Sequence, residues 1–120
     1  MNIRRIVYSF ADAYRGVRYV WHQEQNFRLQ SWAAFFVLSL AITLHVGKIE
    51  LLVLLLLIAM VLLLEILNTA MEHFIDVLKP RLHHQVGVIK DIMAAAVLCG
   101  ALSAGIIGIV IFYPYIRGLF

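Results

Sequence analysis

Hydrophobic and polar positions divide the chain into four stretches. Between Ile3 and Trp21 the apolar residues Ile3, Ile6, Val7, Phe10, Tyr14, Val17 and Trp21 recur at helical spacing, with arginines on other faces. That is the pattern of an amphipathic helix lying on a surface. Three later stretches are almost uniformly apolar: Leu29 to Val46, Leu51 onward, and Ile92 to Phe112. Each reaches or approaches the ~18 to 20 residues that a bilayer-spanning helix requires. The pattern predicts an all-α membrane protein with a surface helix over about 2–27 and spans over about 29–47, 50–78 and 88–113. The turn from His45 to Glu50 is too short for a domain, so the first two spans form a hairpin and residues 1–120 read as a single domain. Pro80 is expected to end the second span and Pro114 the third, because proline lacks a backbone donor and disfavours helix at the residue before it.

Composition agrees with a lipid environment. Of 120 residues, 63% are hydrophobic and 14% charged, whereas soluble domains are roughly half apolar and about a quarter charged. No charged n-region, short apolar core and small-residue cleavage site open the sequence, so a cleaved signal peptide is not expected. Cys99 stands alone inside the third span, which excludes an intrachain disulfide and leaves it a packing residue. Ala96, Gly100, Ala104 and Gly108 follow at four-residue spacing, a pattern that lets membrane helices approach closely. The cations set an orientation. Arg4, Arg5, Arg15, Arg18 and Arg28 precede the first span and Lys79, Arg81 and Lys90 lie between the second and third, against Lys48 and Arg117 at the other ends. The N-terminus and the second connection are therefore predicted to be cytoplasmic. The net charge of +3 suits lipid phosphate rather than nucleic acid.

The second span changes character after Leu64, continuing as Glu65, Asn68, Thr69, Glu72, His73 and Asp76 with no helix breaker. At about 100° per residue from Glu65, Asn68 falls about −60° round the helix, Thr69 about +40°, Glu72 about −20° and Asp76 about +20°, all on one face. If the hydrocarbon layer begins near Leu51, about twenty residues cross it and Glu65 lies inside. An ionisable residue there usually faces a bundle interior or a functional cavity. A carboxylate kept from water suits a general base toward a weakly acidic alcohol, although a Glu protonated or paired to hold an assembly together is the competing explanation. Glu72 lies roughly 10 Å further along the axis, near headgroup level, where it could hold Mg²⁺ on nucleotide phosphates. Read on its own, Glu24 is a solvated charge on the surface helix. His22, His45 and His73 read as interfacial or packing residues, since no Cys/His cluster accompanies them.

The text Glu-Ile-Leu-Asn-Thr-Ala-Met-Glu from Glu65 to Glu72, then Asp76, Lys90-Asp91 and the run Ala94 to Leu98 resemble the bacterial diacylglycerol kinase and undecaprenol kinase family of small membrane lipid kinases. Arg5, Gly16 and the segment Glu24 to Arg28 also fall where that family places them. The resemblance implies a homotrimer in the cytoplasmic membrane, with active sites shared between neighbours, that phosphorylates a lipid alcohol from ATP with Mg²⁺. It implies Glu65 as general base, Glu24 and Glu72 as metal ligands, Asn68 in support, and Arg5, His83, Lys90 and Asp91 at the nucleotide. The family's connection usually carries an acidic residue where Arg81 stands. No G-x-x-x-x-G-K-[ST] loop or protein-kinase signature is present, so ATP must be held another way, for which Mg²⁺ between carboxylates with Lys90 and Arg5 could suffice. The Asn26-Phe27-Arg28 segment and the leucine-rich second span favour undecaprenol slightly over diacylglycerol. Two other readings are a proton-coupled transporter using Glu65, which predicts no nucleotide dependence, and a noncatalytic assembly subunit.

Overall fold

The computed structural model describes residues 2–78 and 83–120, and the side chain of His83 lies outside the description. The expectations attached to Pro80, Arg81 and Leu82 also fall outside the described residues. The described chain forms α1 (Ile3–Gln23), α2 (Gln25–Thr43), α3 (Lys48–Leu78) and α4 (His83–Arg117). Asn2 starts α1 by accepting a hydrogen bond from the Arg4 backbone N–H at 3.1 Å, which satisfies one of the free donors of a helix start. The surface helix ends at Gln23, short of the expected boundary near 27, because Glu24 adopts an extended backbone (φ −114°, ψ 113°) and bends the chain into α2. Of α1, Val20 alone is buried, and the apolar side chains Ile3, Phe10 and Tyr14 face away from the rest of the chain.

Among the described residues, α3 and α4 are long and apolar enough to cross a membrane. With 19 residues, α2 measures about 28 Å at the helical rise. Gln25, Asn26, Arg28 and Gln30 occupy its first turns and shorten its apolar run. It stops at Thr43 in a tight reverse turn. The N–H of His45 bonds the Ile42 carbonyl at 3.2 Å and that of Val46 bonds the Ala41 carbonyl at 3.2 Å, the paired bonds of a Schellman ending. His45 takes the left-handed position of that turn, at φ 53°. Glycine adopts this conformation without the side-chain penalty of about 1 kcal/mol. His45→Gly should therefore stabilise the α2–α3 hairpin by about 0.5–1 kcal/mol, read as a higher thermal midpoint in detergent.

Pro114 does not end α4, contrary to the sequence expectation; the helix runs on to Arg117. A proline there sacrifices one backbone bond and crowds the Val110 carbonyl, a cost the last turn of a long helix absorbs. The Gly118 N–H then closes the end on the Pro114 carbonyl at 3.1 Å. In the middle of the bundle, α3 packs against α4 on one side and α2 on another. It buries Leu54, Val61, Glu65, Thr69 and Ile75 along one stripe. Of the small residues on α4, Gly100 makes a close approach within the chain: a Cβ there would stand 2.5 Å from Leu64 Cδ1, whereas one at Gly108 would meet open space. Between α2, α3 and α4 runs an apolar groove of about 520 Å³, lined by residues including Ala33, Val37, Leu57, Ala104, Gly108 and Phe112.

Candidate active site

Two buried polar residues mark the stripe on α3: Glu65 is 2% exposed and Thr69 4%. The Thr69 hydroxyl donates to the Glu65 backbone carbonyl at 3.0 Å, so its polarity is satisfied locally. The Glu65 carboxylate instead lines a cavity of about 410 Å³ together with Asn26, Gln30, Asn68, Glu72 and Lys90. One turn on, the Asn68 amide donates to Glu72 Oε1 at 3.4 Å. Lys90 enters from α4 with its Nζ 3.7 Å from Asp76 Oδ1, tying the two long helices together at the cavity rim.

Glu24 reaches the site from the corner between α1 and α2. A carboxylate at a helix N-cap normally turns back to the first free N–H groups. Glu24 caps α2 without such a bond and stands beside Glu72. Burial, together with the like charge of Glu72 and a hydrogen bond shared with it, pushes the Glu24 carboxyl above its ordinary value, against the opposing influence of His73 and Arg28. Arg28 also braces the corner, its Nη1 donating to the carbonyls of Trp21 at 2.5 Å and His22 at 3.1 Å at the end of α1. Glu24 and Glu72 are in turn the charged neighbours of Glu65.

Two adjacent carboxylates form a donor set for a cation. Among the described residues no group of three or more His, Cys, Asp and Glu is arranged for a metal. An oxygen-only pair fits a hard ion such as Mg²⁺, which takes one or two carboxylates and completes its shell with water and phosphate. The cavity meets the apolar groove at Gln30 and Ala101, which line both. A charged chamber therefore lies next to a greasy one.

A sequence model of prokaryotic diacylglycerol kinases matches residues 11–112. The chain belongs to the prokaryotic diacylglycerol kinase family. This family of membrane lipid kinases is the one that the Glu65–Glu72 text resembles. Two relatives agree with the assignment. A diacylglycerol kinase of Synechocystis sp. is 35% identical over 115 residues, covering 95% of this chain and 66% of that protein. An undecaprenol kinase of Bacillus subtilis is 36% identical over 113 residues, covering 94% and 92%. The chain thus spans about two thirds of the first relative and nearly all of the second.

Of the kinase-family positions singled out from sequence, Glu24, Glu65, Asn68, Glu72 and Lys90 come together. Asp91 is exposed and does not line the cavity. Arg5 is exposed on α1, nineteen residues from Glu24 and so about 28 Å along the helix. Reading the residues without the resemblance missed that Glu24 lies beside Glu72, and neither reading found Gln30. The signal for Gln30 was its spacing: Asn26 and Gln30 are four residues apart and so share one face of α2.

Proposed function

We propose that this chain transfers the γ-phosphate of ATP to the hydroxyl of a membrane-resident lipid alcohol, undecaprenol slightly ahead of diacylglycerol, with Glu65 as general base. The observation that carries this reading is a buried carboxylate lining a polar cavity that adjoins an apolar groove. The groove suits a hydrocarbon chain and the cavity suits phosphates, so the two substrates would meet at Glu65. As the lipid oxygen bonds to the γ-phosphorus, the bond from that phosphorus to the β,γ-bridging oxygen breaks. ADP departs, and Glu65 takes the hydroxyl proton. Asn68 holds Glu72 in orientation, and Lys90 places a fixed positive charge on the cavity wall. Glu24 and Glu72 would hold Mg²⁺, which supplies charge neutralisation on the transferring phosphate.

Arg5, His83 and Asp91 are assigned to the nucleotide. Arg5 and Asp91 lie away from the cavity of their own chain, which supports a homotrimer whose sites are completed by a neighbouring copy. Residues 1–120 act as one domain, with α2 as a third span close to the ~30 Å hydrocarbon thickness, and with the N-terminus and the active site on the cytoplasmic face. The preference for undecaprenol draws on the Asn26-Phe27-Arg28 segment, whose Asn26 lines the cavity. The test is purified protein with ATP, Mg²⁺ and either undecaprenol or dioleoylglycerol in micelles. Phosphorylation of both, faster on undecaprenol, is expected. Inactivity on both lipids would overturn the assignment.

A further inference from the structure

We propose that Tyr19 and His73 form a positioning latch that holds Glu24 against Glu72 and thereby sets the affinity of that pair for a divalent cation. The inference rests on reading Glu24 and Glu72 as the metal ligands.

Glu24 occupies the single extended residue between two helices, so its place depends on the direction in which α1 leaves the corner. With 21 residues and Val20 as its one buried side chain, α1 is a lever held near its C-terminal end. Tyr19, beside Val20 and five residues before Glu24, reaches α3 at His73, the residue after Glu72. The Tyr19 hydroxyl and His73 Nε2 are hydrogen-bonded. In a neutral ring protonated on Nδ1, the hydroxyl donates and Nε2 accepts. The rings also pack, with centroids 5.1 Å apart and planes tilted by 54°.

Among the described residues this is the one side-chain hydrogen bond that joins α1 to α3. It ties the two carboxylate-bearing segments together immediately beside the carboxylates. Cutting it lets α1 pivot about the corner at Glu24. The Arg28 brace would persist, so the pair loosens rather than disperses. Neither Tyr19 nor His73 lines the cavity, which makes both positioning residues rather than catalytic ones.

Binding of Mn²⁺ to the nucleotide-free full chain in detergent, followed by the electron paramagnetic resonance of free Mn²⁺, tests the latch apart from turnover. Tyr19→Phe and His73→Ala should each weaken Mn²⁺ binding by about tenfold, the scale of losing a partner that orients a metal ligand. The double variant should be no weaker than His73→Ala alone, because Tyr19→Phe removes only the hydrogen bond that His73→Ala already removes. His73→Gln, whose amide oxygen can accept from Tyr19, should recover most of the affinity, and Tyr14→Phe, elsewhere on α1, should bind as wild type. Unchanged binding in Tyr19→Phe and His73→Ala while Glu72→Gln loses it would overturn the latch and leave the metal pair standing. Additive losses in the double variant would also overturn it. Wild-type binding in Glu72→Gln would remove the metal-pair reading and the latch together.

Discussion

Glu65→Gln should lower kcat for lipid phosphorylation by about 10²- to 10⁴-fold, the usual worth of a positioned general base. The amide keeps the size and polarity of the side chain but cannot take the hydroxyl proton. KM for the lipid should move little, because the apolar groove that would hold the hydrocarbon chain is untouched. Replacing a carboxylate inside the bundle with a neutral amide also relieves a desolvation cost. The variant should therefore fold and assemble as well as wild type. This combination separates catalysis from the competing explanation in which Glu65 holds an assembly together, since that explanation predicts altered assembly with little change in turnover. Steady-state rates with size-exclusion chromatography of the same sample distinguish the two.

The second large effect belongs to Glu72→Gln. Losing a residue that merely orients a metal ligand costs roughly 10- to 100-fold in affinity, so losing the ligand itself should raise the half-saturating Mg²⁺ concentration by about 100-fold or more. Raising Mg²⁺ should restore part of the rate, which no concentration should do for Glu65→Gln. Removing the Glu72 charge also removes one of the influences that push the Glu24 carboxyl upward. A Glu72→Gln enzyme with unaltered Mg²⁺ dependence would show that the metal is held elsewhere.

Much of the helix arrangement was legible because the dominant physics is local. Fourteen apolar residues from Leu51 to Leu64 followed by polar residues on one helical face predict both a membrane helix and a buried polar stripe, and α3 has both. The breaks were harder to read. Nothing in the apolar periodicity of α1 marks the bend at Glu24, since glutamate is a good helix former yet here takes an extended backbone. Pro114 misled in the opposite direction, because a proline's cost depends on how much helix remains to be lost. Glu24 looked like a solvated charge because proximity to Glu72 joins residues 48 positions apart, which spacing along one helix cannot reveal. The same holds for the contact of Tyr19 with His73, 54 positions apart. Spacing did identify Gly100 as a close-packing residue, but it could not tell that Leu64 of the same chain is its neighbour while Gly108 is open.

The most direct test is to follow label from [γ-³²P]ATP into lipid with wild type and Glu65→Gln reconstituted side by side with undecaprenol or dioleoylglycerol. Label should appear in the lipid phosphate with wild type, and almost none with the variant, at equal protein and equal assembly. Equal labelling by the two proteins, or none by wild type on either lipid, would contradict a phosphoryl transfer that runs through Glu65.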